Sequence, residues 1–298
     1  MPFVIRMNCR GNITLRTNLK DLVMLAISAQ VSAPTLSGTP YRPDTEGVSL
    51  IAVGMSGVVY NARVGDAAYG WCGDHVEPGV SIDNPDLGVD YALHYLACVG
   101  NEAVIVSGLA TGAKGIVTGE HARLLVYFAP DVLEQLCVGD RVLVKTYGRG
   151  MRLLDCPGVL VKKAGPNLIE RWGLRLSVQG RLQVPVVGII PAHIMGSGAE
   201  LTPEFVDQDL MTGDRAALAE LGIDQLRLGD LVAVTDTDHR YGRGYKPGGV
   251  TIGLIMHGDS NWTGHGPGCQ DMLVCANGDI ELVIDPGANI AKLLDIRP

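Results

Sequence analysis

Residues 251–270 read TIGLIMHGDSNWTGHGPGCQ. An apolar run, Thr251 to Met256, leads into His257, Asp259 and Ser260, and a glycine-dense loop then carries Trp262, Thr263 and His265. Short apolar run, polar cluster and glycine turn together suit a β-strand whose end opens onto a site. Side chains alternate along extended chain, so His257 and Asp259 are expected on one side of it.

Outward from this stretch the same punctuation recurs. Apolar runs at Val48–Val53, Gly57–Val64, Tyr91–Val99, Ala103–Val106, Ile116–Thr118 and Ala122–Phe128 read as strands. Asn18 can cap a buried helix through Leu22 to Val31, and short helices are expected at Pro130–Leu136, Asn167–Trp172 and Asp214–Leu221. Strands do not alternate regularly with long helices, so the expected class is mainly β, a sandwich or barrel with short helices. The 39 glycines and 16 prolines among 298 residues agree with many turns.

A near-repeat organises the chain. VLEQLCVGDRVLVKTYGRG begins at Val132 and LGIDQLRLGDLVAVTDTDHRYGRG at Leu221. Leu136, Gly139-Asp140, Val142 and Val144 match Leu226, Gly229-Asp230, Val232 and Val234, the pattern of a turn feeding a half-buried strand. Before Tyr-Gly-Arg-Gly the first copy has Lys145 and Thr146, whereas the second has the six residues Thr235 to Arg240. The longer connection holds Asp236, Asp238 and His239, and loop insertions are inexpensive places to add function. Pro, Gly and two lysines cluster at Pro157–Gly165, which places a boundary between domains 1–160 and 161–298.

Composition narrows the function classes. Hydrophobic residues are 47% and charged residues 19%, a globular balance. A net charge of -8, no Lys/Arg cluster and 5% aromatics argue against a nucleic-acid or anionic-membrane partner. The seven cysteines form no CxxC pair and suit a reducing, cytoplasmic setting. VGMSGVVYNARVGD lacks the Gly-Lys-Ser/Thr of a P-loop.

Three segments join His to carboxylates: Trp71-Cys72-Gly73-Asp74-His75-Val76-Glu77-Pro78-Gly79, the inserted Asp236-Thr237-Asp238-His239, and His257-Gly258-Asp259 with His265. Two groups from one strand and a third from a neighbouring loop would leave a metal's remaining position open, as catalytic sites do. His257, Asp259, His265 and Asp238 are the expected ligands of a divalent metal, Zn or Mn. His257, Asp259, His75 and Asp74 are the expected acid/base groups. Arg243, Trp262, Ser260 and His239 are the expected substrate contacts. His94 reads as a hydrogen-bonded core histidine on a strand, and His121 and His193 are left aside.

TEGVSLIAVGMSGVVYNARVGDAAYGW (45–71), GDHVEPGVSI (73–82), PAHIMGSG (191–198) and HGDSNWTGHGPG (257–268) resemble a bacterial and archaeal family, domain of unknown function 4438. GDHVEPG and GHGPG are the most specific blocks. The resemblance implies a mainly β architecture with a small inserted barrel, and no activity or catalytic residues. The expected function is hydrolysis of a small amide or cyclic amide, metal-assisted; the alternative is a non-catalytic small-molecule-binding or assembly protein. A mean hydropathy of +0.20 with few charges also points to a homo-oligomer.

Overall fold

The computed structural model describes residues 15–35, 41–51, 57–198 and 207–296. Cys9 and residues 52–53 of the expected strand at Val48–Val53 lie outside them. In chain order the first strands are β1 (Leu25–Val31), β2 (Tyr41–Pro43), β3 (Ser49–Ile51), β4 (Val58–Val59), β5 (Gly79–Asp83), β6 (Glu102–Ile105), β7 (Lys114–Glu120), β8 (Leu124–Tyr127) and β9 (Arg141–Thr146), with helices α1 (Leu87–Leu96) and α2 (Pro130–Leu133). Then come β10 (Val159–Val161), α3 (Pro166–Arg171), β11 (Arg175–Leu176), β12 (Leu182–Val186), β13 (Gly188–Pro191), β14 (Asp207–Asp209), α4 (Arg215–Glu220), β15 (Leu231–Thr237), β16 (Tyr245–His257), β17 (Gly268–Cys275), β18 (Ile280–Ile284) and α5 (Ile290–Leu293).

β1, β9, β6, β7, β8 and β5 pair in that order, and β5 pairs back onto β1 through Gln30↔Asp83 and Val31↔Ile82. The sheet is thereby closed into a six-stranded barrel without free edges. Its interior holds the alternate residues that period two selects, among them Ile27, Ala29, Val31, Val80, Ile82, Val142 and Val144. The barrel is an insertion, as the family resemblance implies. Leu15 ahead of it and Met151 and Leu153 behind it share one core, and Thr17 bridges Leu153.

The second unit centres on a sheet ordered β10-β17-β16-β15-β13, with β14 also on β17. Both faces of this sheet are covered. Leu231, Ala233, Ile252 and Leu254 enter one core, while Val232, Val234 and Ile255 enter another. Two-sided burial explains why Thr251–Met256 is continuously apolar rather than alternating. A cut at residue 160 falls inside β10, which pairs with β17 at Leu160↔Val274. The neighbouring Lys162 and Lys163 are buried at 3% and 1% exposure, Lys162 beside Asp271 and Lys163 on Glu120.

Two elements differ from the expectation. Residues 25–31 form strand β1, not a helix, and only Leu19–Asp21 makes a helical turn. Tyr91–Val99 is not a strand: α1 runs from Leu87 to Leu96, and the Asp86 carboxylate caps it by accepting from the Gly88 and Val89 N–H groups. A short apolar run has no period that separates the two states, so the decision falls to tertiary pairing and caps.

The Gly-Asp repeat is a turn device. In both copies the aspartate accepts from the N–H three residues earlier and donates back to that residue's carbonyl: Asp140 with Cys137 and Asp230 with Arg227. A third copy, Asp66 with Arg63, uses the same bonds. The preceding glycines, Gly65, Gly139 and Gly229, have φ of 101°, 88° and 89°, a region other L residues enter only with strain.

Candidate metal centre

The site begins at one row across three strands. In β16 and β17 His257 lies opposite Gly268, and Gly268 in turn lies opposite Asp209 of β14. Any side chain at 268 would overlap the His257 ring. With glycine there, His257 and Asp209 reach each other across the middle strand, His257 Nε2 lying 3.4 Å from Asp209 Oδ1.

Two further segments close on this row. The chain between β4 and β5 leaves the barrel, and its His75 N–H donates to the Asp259 carbonyl while Gly258 N–H donates to the Val76 carbonyl. That pairing lays His75 beside Asp209, Nε2 to Oδ2 3.1 Å. The turn after β7 supplies His121, whose ring centroid lies 4.1 Å from that of His257. His265 and Trp262, on the loop from β16 to β17, stand 5.4 and 5.5 Å from His75 by ring centroid.

Each of the four histidines commits Nδ1 to an outer acceptor. His75 Nδ1 is 2.7 Å from Asp74 Oδ2 and His121 Nδ1 is 2.8 Å from Glu77 Oε1. His257 Nδ1 is 2.8 Å from the Gly258 carbonyl and His265 Nδ1 is 3.1 Å from the Thr263 carbonyl. The Gly268 N–H lies 3.2 Å from the same His257 nitrogen; one tautomer cannot serve both, and the closer carbonyl favours the Nδ1–H form. An imidazole whose Nδ1–H is held from outside turns its other nitrogen's lone pair inward, the arrangement of metal-ligating histidines.

Three sets of ligand atoms lie within 4.8 Å of one another: His75, His121 and His257; His75, Asp209 and His265; and Asp207, Asp209 and His257. His257 is fully buried, and its Nε2 has no hydrogen-bond partner; Asp207 Oδ1 is buried and unpartnered too. An imidazole lone pair facing a carboxylate oxygen is acceptor against acceptor, which a cation between them would relieve. The electrostatics agree with the crowding. Burial, with the charge of His121 added, pulls His257 down to about 4. Burial also opposes charge on His75, but hydrogen bonds to Asp209 and Asp74 outweigh it and raise the ring to about 10, so a cation bound by His75 would take the place of the Nε2 proton shared with Asp209. Asp207 and Asp209 diverge. Burial raises Asp207, whereas the nearby His257 ring and the hydrogen bond from His75 overcome burial and lower Asp209. His75 itself has φ of 49°, a conformation that costs an L residue on the order of 1 kcal/mol or more and recurs at functional sites.

Of the residues expected from sequence, the structure gathers His75, Asp74, His257, His265, Trp262 and Ser260. The Ser260 hydroxyl donates to Asp74 Oδ1 at 2.5 Å, so it holds the carboxylate that holds His75. Asp259 is not drawn in among the described residues. β16 ends at His257, the alternation breaks at Gly258, and the Asp259 carboxylate accepts from Thr212 Oγ1 (2.6 Å) and pairs with Arg215. The insertion stands apart as well. Asp238 pairs with Arg240 at 2.8 Å, His239 bonds Asp271 at 3.0 Å, and neither joins a ligand set. Arg243 donates to the Met195 carbonyl.

Sequence reasoning missed His121, Glu77 as its partner, Asp207 and Asp209. Asp207-Gln208-Asp209 did carry a signal, because carboxylates two apart on a strand share a face. His121 had none, since its partners stand 44 and 86 residues away in sequence at Glu77 and Asp207.

Comparison with known proteins agrees with the fold. The crystal structure of TM1086 is 39% identical to this chain over 94% of it and 99% of TM1086, with a TM-score of 0.87. No curated protein matches the chain. Two family models do, domain of unknown function (DUF4438), N-terminal, over residues 41–170 and its C-terminal companion over residues 171–294. The chain therefore belongs to the DUF4438 family.

Proposed function

We propose that the protein is a divalent-metal-dependent hydrolase of a small amide or cyclic amide. The observation that carries this reading is the set of four imidazoles, each with Nδ1 held from outside, around Asp207 and Asp209. Zn or Mn suits a donor set of imidazole and carboxylate. Such an ion lowers the pKa of bound water and polarises a carbonyl. The chain's own part is orientation. Asp74 and Ser260 fix His75, Glu77 and Ser81 fix His121, and a Gly258 carbonyl fixes His257. The Trp262 indole N–H, buried and without a partner, is a donor suited to a substrate carbonyl. Half-buried Trp262 and His265 stand on the side of the cluster that reaches solvent.

Convergence of the 71–79 and 257–268 loops favours this reading over a non-catalytic binding or assembly protein. Six free cysteines among the described residues support a cytoplasmic setting. No helix among those residues is long and apolar enough to cross a membrane. The exposed row Leu87, Tyr91 and Tyr95 along α1 supports association between copies of the chain.

The test is metal content and turnover measured on the same preparations. Wild-type protein should carry or bind Zn or Mn and cleave a member of a panel of small linear and cyclic amides. His257→Ala should lose both. Metal-free wild type with no turnover gained on adding metal, or turnover indifferent to His257→Ala, would contradict the proposal.

A further inference from the structure

The three ligand sets overlap in a particular way. The first shares only His75 with the second and only His257 with the third, while the second and third share only Asp209. The two oxygens of Asp209 also face different partners: Oδ2 lies 3.1 Å from His75 Nε2, and Oδ1 lies 3.4 Å from His257 Nε2. A carboxylate shared by two ligand sets, with its two oxygens facing different histidines, is placed to bridge two cations. From this geometry we infer a two-ion centre, resting on the metal-dependent reading above, in which Asp209 bridges a His75–His265 ion and a His257–Asp207 ion.

Ligand supply agrees with two sites. Each ion receives three protein donors including one oxygen of Asp209, which leaves positions for water or substrate on both. A single ion at the His75–His265 set would leave His257 Nε2 facing Asp209 Oδ1, and Asp207 Oδ1 beside them, uncompensated. Among the residues of the three ligand sets, His257 Nε2 and Asp207 Oδ1 are the buried atoms without a hydrogen-bond partner, and they belong to the same set. That set is therefore the one least satisfied by protein alone. His121, held by Glu77, stands with its Nε2 3.9 Å from Asp207 Oδ2 at the edge of this second site. Two ions about 3.5–4 Å apart clamp both the attacking and the leaving oxygen or nitrogen of a hydrolysis. The substrate class is thus one whose carbonyl can lie across both ions, such as a small amide.

The experiment is manganese loading of the intact, metal-stripped chain. Stoichiometry comes from equilibrium dialysis with elemental analysis, and coupling from electron paramagnetic resonance of the loaded protein. Two manganese ions per chain with an exchange-coupled spectrum are expected. Asp207→Asn and His265→Ala should each retain one ion with an uncoupled spectrum, and Asp209→Ala should lose the coupling. Circular dichroism confirms that each variant is folded, and the wild-type result stands without them. One ion per chain, or two without coupling, overturns the bridged pair and leaves the hydrolase reading intact. No bound manganese overturns both.

Discussion

Gly268→Ala isolates the geometry of the site from the chemistry of its ligands, because it removes no donor. A methyl at 268 would overlap His257 Nε2, Cδ2 and Cε1, the farthest of them only 2.8 Å away, where carbon contacts normally settle at ~3.5–4.0 Å. His257 is enclosed at 0% exposure, so the ring must move by roughly 1 Å into packed surroundings. Overpacking of this kind costs about 1–3 kcal/mol. A coordination sphere tolerates about 0.2 Å, so the same shift should withdraw Nε2 from any ion. Expected results are a drop in stability of about 1–3 kcal/mol by urea unfolding in a chelating buffer, and a fall in Zn or Mn affinity of about 10- to 100-fold by chelator competition. Gly213→Ala is the control, since a methyl there meets only Thr45, at 3.4 Å, and should change stability by less than about 0.5 kcal/mol. Unchanged metal affinity in Gly268→Ala, with Gly213→Ala equally silent, would refute the placement of His257 in the centre.

Glu77→Gln should weaken metal binding by about 10- to 100-fold, measured by the same competition, because His121 loses the carboxylate that aligns it. Lys163→Met should lower stability by about 3 kcal/mol in urea unfolding, because buried Glu120, now paired with it at 2.7 Å, keeps only His94 as a partner; adding Glu120→Gln should restore part of the loss. The His94–Glu120 pair (2.9 Å) should make stability depend on pH. Burial opposes charge on both, but His94 is raised by Glu120, and Glu120 is lowered by Lys163 and His94. The His94 contribution is whole below its ordinary value of 6.5 and fades as pH rises through its raised pKa; that of Glu120 is whole above 4.5 and fades as pH falls through its lowered one. The Tm difference between wild type and His94→Gln, both metal-free, should be largest in the mildly acidic range and shrink above it.

Much of the fold was legible where local chemistry decides the outcome. Gly-Asp turns, the β9 and β15 strands and the short helices near 130, 167 and 214 stand close to where their turn and cap residues place them. Leu22–Val31 and Tyr91–Val99 were misread because both are short apolar runs. Pairing with β9 makes the first a strand and the Asp86 cap makes the second a helix. The site follows the same division. His75, His257 and His265 were visible because glycine loops advertise them. Asp209 offered only the spacing of Asp207-Gln208-Asp209, and its meaning comes from strand β14 beside Gly268; His121 offered no signal, because it sits on a barrel turn packed against a different unit. Asp259 looked right by spacing but stands outside the ligand sets, because extended geometry ends one residue too soon at Gly258.

Anomalous diffraction from crystals equilibrated with manganese addresses the central claim without any assay of activity. A difference map at the manganese edge should place density among His75, Asp209 and His257, within bonding distance of His257 Nε2. A saturated crystal with no peak there, or with manganese held only at surface carboxylates, would contradict the assignment of these residues as a metal centre.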